Sequence, residues 1–183
     1  MANKKLIKIT AFLVILIFGI CVISSISAVD ASKMKVTSSG IKDGKITEKY
    51  GMYGSQKENG IPTLSIPLKI SKAPKKTKFY AVYMYDNTYP WVHWTAANYK
   101  SKTFKEGASK KNAKSMVQGK NDFGTLGYGG PTPPDKTHTY TIKVYALKSK
   151  VTLHNGFTYA QFKKATKGKV LSTTTIKGQY VRK

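Results

Sequence analysis

Phe79-Tyr80-Ala81-Val82-Tyr83-Met84-Tyr85 decides the fold class. Seven aromatic, β-branched and apolar residues in a row give water no polar stripe, so the segment reads as a strand buried on both faces. A short turn containing Pro90 separates it from a second strand, Val92-His93-Trp94-Thr95-Ala96-Ala97-Asn98. Thr139 to Leu147, TYTIKVYAL, alternates Tyr140, Ile142, Val144 and Ala146 on one side with Thr139, Thr141, Lys143 and Tyr145 on the other. Two further strands are expected from Thr63 to Leu68 and from Val170 to Tyr180. One good helix, Tyr159 to Lys167, carries its own punctuation: Thr158 as N-cap, Gln161 closing a capping box, and Gly168 as the stop. No repeat and no long linker divides the segment. Many short strands in one domain mean a β-sandwich or an open barrel.

Around this domain the 183 residues are simply organised. Lys4, Lys5 and Lys8 precede an apolar run from Ile9 to about Val29, closed by the small residues Ser24, Ser25, Ser27 and Ala28. That is the grammar of a secretory signal over residues 1–31, with cleavage after Ala28 or Ala31. Residues 9–29 are also just long enough for a retained membrane anchor. Both readings place residues 32–183 outside the membrane as a secreted or surface-held domain, because the leading lysines stay inside. The only cysteine, Cys21, lies in the apolar run, so the domain has no thiol and no disulfide.

The chain carries 32 lysine and arginine residues against 8 acidic ones, a formal charge of +24. Removing Lys4, Lys5, Lys8 and Asp30 with the signal leaves about +22. Only Arg182 is an arginine. Specific nucleic-acid readers favour the bidentate arginine fork, so no specific nucleic-acid partner is expected. The lysines serve either solubility or adhesion to anionic cell-envelope polymers.

Glycine and proline crowd into one stretch before the TYTIKVYAL strand: Asn121-Asp122-Phe123-Gly124, Gly127-Tyr128-Gly129-Gly130-Pro131 and Pro133-Pro134, then His138 and Tyr140. Proline fixes φ and glycine frees it, so such a loop holds one unusual shape and can offer backbone groups to a ligand. Asp86 ends one strand, His93 opens the next, and His138 follows the Pro-Pro turn. Each stands beside a turn next to a buried strand. His154, in Leu153-His154-Asn155-Gly156, reads as an ordinary loop residue.

These residues carry a resemblance. Asp86-x-x-x-Pro90, Trp91-x-His93-Trp94, and Gly127-Tyr128-x-Gly130-Pro131-x-Pro133-Pro134-x-x-x-His138-x-Tyr140 resemble the phosphatidylethanolamine-binding protein family, in its bacterial and archaeal Raf-kinase-inhibitor-like branch. The likeness runs from about Val36 to the C-terminus, where Gly168-x-Val170-Leu171 and Gly178-x-Tyr180 suit the family's closing helix and strand. It implies a β-sandwich of two antiparallel sheets with one short C-terminal helix. It also implies a small pocket formed by Asp86, Trp91, His93, Gly130, Pro131, His138 and Tyr140, and a cis Tyr89–Pro90 bond in its turn. Asn87, Thr88, Thr132, Lys136 and Thr139 depart from the family pattern, as does Ile61-Pro62-Thr63-Leu64-Ser65-Ile66. The pocket floor is kept while its mouth and rim are rebuilt.

Such a pocket suits a small anion: a phosphate, a carboxylate or a phospho-head-group. Imidazoles donate N–H groups, Tyr140 a hydroxyl, and the glycine-rich rim its backbone N–H groups. No nucleophile is placed beside a histidine by any motif, no cofactor is implied, and no metal-type His spacing occurs. The expectation is therefore an exported, non-enzymatic binding module. The alternatives are a protein-interaction module inhibiting an extracellular hydrolase or protease, and a hydrolase using the His-His-Asp cluster.

The signal reading makes one expectation concrete. Mass spectrometry of the native protein should find a start near Ala28–Ser32 and no Cys21; intact Cys21 in a membrane fraction would mark a retained anchor instead.

Overall fold

Residues 33–183 are described by the structure, a computed structural model. The signal or anchor reading of residues 1–31 lies outside them. Ser32–Lys183 is a compact unit. No helix among the described residues is long and apolar enough to cross a membrane.

Twelve strands form in chain order: β1 (Lys35–Thr37), β2 (Ile41–Lys42), β3 (Lys45–Ile46), β4 (Lys57–Glu58), β5 (Ile61–Pro62), β6 (Leu68–Ser71), β7 (Phe79–Asp86), β8 (Val92–Tyr99), β9 (Thr103–Phe104), β10 (Val117–Gln118), β11 (His138–Leu147) and β12 (Val170–Tyr180). The helices are a single turn, α1 (Ala108–Lys111), and the expected α2 (Tyr159–Thr166). The fold is mainly β, but the sheets are not two antiparallel ones. A seven-stranded sheet has the order β10-β8-β7-β11-β12-β3-β2, a three-stranded sheet β1-β6-β9, and β4-β5 form a separate ribbon. The large sheet is mixed, because β3 joins β12 in parallel at Gln179↔Lys45. Nothing in the local sequence of so short a strand sets its direction; the Gln179 N–H bond to the Gly44 carbonyl at 2.7 Å does.

Burial on both faces of β7 is what the aromatic run requires. Tyr80, Val82 and Met84 face the main core, with Val36, Leu68, Ile70 and Phe104 from the small sheet and Trp94, Ile142 and Val144 from neighbouring strands. Ala81 and Tyr83 face the other way, into a second cluster where Phe162 of α2 covers Tyr145 and Leu147. The α2 capping box forms as read: Gln161 N–H donates to Thr158 Oγ1, and Thr158 N–H to Gln161 Oε1.

Two local expectations fail. Residues 63–67 are not strand, although Leu64, Ser65 and Ile66 are buried. Pro62 and Pro67 bracket the segment without N–H groups. Loops take its polar atoms instead: Gly107 N–H donates to the Ser65 carbonyl, and Ser109 N–H to Ser65 Oγ. The Tyr89–Pro90 bond is trans. The Trp91 N–H reaches the Tyr89 carbonyl, a γ-turn bond across Pro90 that reverses the chain within a trans backbone.

Phe162 is the fully buried ring of α2 and Thr158 its N-cap, so the two contributions can be separated. Phe162→Ala should cost about 3–5 kcal/mol and Thr158→Ala about 1 kcal/mol, read as shifts of the urea midpoint at constant m-value.

Candidate functional site

Strand register builds the site. Along β7 and β11 the pairing places Tyr140 directly opposite Asp86. Between β7 and β8 the register runs Met84↔Trp94 and then Tyr85↔Val92, so His93 is an extra residue without a partner. Such a bulge bends the strand and re-aims a side chain. Alternation alone would put His93 on the face opposite Trp94; its ring instead meets Tyr140 at 5.1 Å and Phe123 at 5.4 Å, both edge-on.

The glycine-rich loop then locks that imidazole. Gly129 N–H donates to the His93 carbonyl at 2.8 Å, and His93 Nδ1 donates back to the Gly129 carbonyl at 2.7 Å. A carbonyl only accepts, so Nδ1 carries the proton and, in the neutral ring, Nε2 is a bare acceptor. The Gly130 backbone adds a weaker hydrogen-bond interaction with the same ring. His93 is 2% exposed, and this burial lowers its pKa below the ordinary value; the Gly129 bond and the Asp86 charge pull less strongly the other way.

Asp86 (4% exposed) is fully engaged. Its Oδ1 accepts the Thr88 N–H at 2.7 Å and its Oδ2 bonds His138 Nδ1 at 2.6 Å. His138 Nε2 in turn bonds Asp135 Oδ1 at 2.7 Å. With two carboxylates on one ring, an imidazolium satisfies both bonds at once. That hydrogen bond holds the Asp135 carboxyl below its ordinary pKa. Tyr140 is pushed far up by burial and by the Asp86 charge, so its hydroxyl remains a donor.

Asp86, Trp91, His93 and Tyr140 line one cavity of about 410 Å³, with Tyr89, Phe123, Thr132 and Pro134 completing it. Trp91 is 41% exposed at its mouth. The other three residues read from the sequence are not among the lining residues, though His138 bonds Asp86 and the Gly130 backbone interacts with the His93 ring. His138 lies behind the cavity with both nitrogens on carboxylates, so it is a brace for Asp86 rather than a second free donor. Gly130 gives its N–H to the Pro62 carbonyl, and a Cβ there would sit 2.2 Å from the Tyr50 carbonyl oxygen. Pro131 accepts from Met52 N–H. This pair clamps β5 and the Tyr50 segment instead of offering rim donors. Sequence reasoning missed Asp135, whose signal was its place three residues before His138 in the Pro-Pro turn. It also missed Asp122, whose Oδ2 accepts the Val92 N–H at 2.7 Å and fixes the start of β8. His154 is an exposed loop residue. Among the described residues no group of three His, Cys, Asp or Glu side chains is placed to hold a metal ion.

A signature so distributed, with Trp91-x-His93 on one strand, Gly129–Pro134 across from it and His138-x-Tyr140 feeding the next, is matched by the family model described as phosphatidylethanolamine-binding protein over residues 37–181. The chain belongs to the phosphatidylethanolamine-binding protein family. Relatives of the chain occur among bacterial and archaeal proteins. The Bacillus subtilis (strain 168) protein YxkA is 33% identical over 150 residues, covering 70% of this chain and 89% of its own. The crystal structure of Escherichia coli YbcL, described as a new member of the mammalian family, superposes with a TM-score of 0.70 at 32% identity, over 82% of this chain and 99% of that one. The family homolog CT736 of Chlamydia trachomatis gives 0.73 at 29% identity, over 84% and 100%.

The tautomer and burial of His93 fix a pH dependence. Its folded pKa lies below the unfolded value of about 6.5, so the unfolded chain binds the proton first. This contribution to stability is fully present above about pH 6.5 and is lost as pH falls from there to the folded pKa. Long-range 15N NMR should show a protonated Nδ1 at neutral pH and a ring that titrates below 6.5; a protonated Nε2 in the neutral ring would contradict the Gly129 bond.

Proposed function

We propose that this protein is an exported binding module, acting without catalysis, whose cavity takes a small molecule through a phosphate- or carboxylate-type head group. The observation that carries the reading is His93 Nε2. Nδ1 takes the ring's bond to the Gly129 carbonyl, which leaves Nε2 to face a ligand in a chamber walled by Tyr89, Trp91, Phe123, Pro134 and Tyr140. Aromatic and proline walls accept the apolar body of a ligand, while a single polar atom orients its head.

No lysine or arginine among the described residues lines this cavity. Positive charge for an anion must therefore come from protonating His93, with the Thr132 hydroxyl as a further donor and the Tyr140 hydroxyl drawn to Asp86. Asp86 is quenched for this purpose by its bonds to Thr88 and His138, which spares the anion part of its repulsion. Binding is thus coupled to proton uptake. Among the described residues the lining holds neither serine nor cysteine, which supports a binding role over nucleophilic catalysis.

Acetate stays ionised across the relevant range and isolates the protein's own titration. Its affinity should rise as pH is lowered from about 7.5 to 5.5, with the His93 ring resonances moving on binding. Asp86→Asn should lower the His93 pKa and shift the affinity profile toward acid; His93→Gln should abolish it. Ring signals indifferent to acetate and to inorganic phosphate at every pH would refute the reading.

A further inference from the structure

The second irregularity in β8 lies at the opposite end of the same sheet. Its register passes from Val82↔Ala96 to Tyr80↔Tyr99, one residue too many in β8, and Asn98 sits there with φ +65°. That left-handed backbone is tolerated by asparagine more readily than by most residues. The Asn98 amide uses its side chain fully: Nδ2 donates to the Val151 carbonyl at 2.9 Å, and Oδ1 accepts the Val151 N–H at 2.8 Å. The loop after β11 is thereby pinned with Lys150 on the rim of a cleft of about 680 Å³. Lys100 and Lys114 share that rim, and Phe79, Tyr99 and Met116 form its apolar floor. Lys169 donates to the Lys150 carbonyl, and exposed Lys78 and Lys148 stand at the adjoining strand ends.

The described acidic residues are all elsewhere. Asp86, Asp122 and Asp135 surround the ligand cavity. Asp43 and Glu48 lie by the last residues of β12, through the Gly44–Gln179 and Glu48–Tyr180 bonds. Glu106 bonds Tyr50 and Lys49, and Glu58 pairs with Lys110 beside the β4-β5 ribbon. The domain is therefore electrically polar along β7, whose eight residues span about 23 Å: mixed charge at the cavity end, lysine alone at the other among the described residues.

We propose that this lysine end is a docking face for an anionic lipid surface. Two observations select a lipid surface over other polyanions. The rim of lysines over an apolar floor matches a charged head group above a hydrocarbon body. The chain also enters the domain here: β1 starts at Lys35, paired with Ser71 on the side where β6 leads to β7, and in the retained-anchor form only residues 30–34 separate it in sequence from the apolar run 9–29. Docked this way, the ligand cavity faces away from the surface. The proposal stands independently of what that cavity binds.

Both described hydrophobic clusters lie within the compact unit Ser32–Lys183, so that unit is tested without the apolar run, which would enter lipid by itself. It should co-sediment with vesicles of phosphatidylglycerol and phosphatidylcholine, not with phosphatidylcholine alone, and salt should release it. The triple variant Lys100→Gln, Lys114→Gln, Lys150→Gln should bind about a hundredfold more weakly. The matched variant Lys42→Gln, Lys45→Gln, Lys57→Gln, at the cavity end, should bind within about twofold of the parent. Equal losses in both variants would mean net charge alone and overturn the proposal. Absence of vesicle binding at low salt, or binding to soluble polyphosphate without binding to vesicles, would overturn it as well.

Discussion

β11 is hydrogen-bonded along its whole length to β7 on one side and β12 on the other, from His138↔Tyr180 to Leu147↔Val170 and from Tyr140↔Asp86 to Leu147↔Phe79. A central strand in that position leaves no freedom of register, because a slip of one residue would turn Ile142 and Val144 out of the main core and drive Thr141 and Lys143 into it. Everything functional hangs from this ladder. It sets Tyr140 across from Asp86, delivers His138 to the Asp86 carboxylate, and holds β7, the strand against which β8 bulges.

The bulges in β8 show how a regular sheet produces irregular chemistry. At one end the extra residue is His93, swung onto the Tyr140 face and captured by Gly129. At the other it is Asn98, whose left-handed backbone frees its amide to hold Val151. One strand thus supplies both ends of the molecule with a pinned polar side chain. Gly129 takes part through its backbone alone, and a Cβ there would meet Phe123 at 2.6 Å, so the loop closes over His93 only with glycine at that position.

Buried charge is handled by pairing. Asp86 and His138 are each nearly inaccessible, and a lone carboxylate at that depth would be strongly unfavourable. The Asp86–His138–Asp135 chain carries the charge outward to Asp135, which is exposed to water. His93 is treated in the opposite way, kept neutral by burial and held by a carbonyl. The two histidines consequently have different chemistry, His138 bonded to two carboxylates and His93 to a backbone carbonyl.

What the sequence by itself determined follows from local rules. The both-faced burial of β7, the alternation of β11, the span of β12 and the capped helix α2 rest on periodicity and on neighbours within a turn, and the spaced Gly-Pro-His signature led to the family. Tertiary structure decided the rest because it depends on partners distant in the chain. The Gly44–Gln179 bond makes the large sheet mixed, and loops rather than strands take the polar atoms of residues 63–67. Gly130 spends its N–H on Pro62 instead of a ligand, and Asp135 claims the second nitrogen of His138. The side toward which His93 points was fixed by a register shift. Residue spacing along one strand cannot encode that shift, since it is a property of two strands pairing.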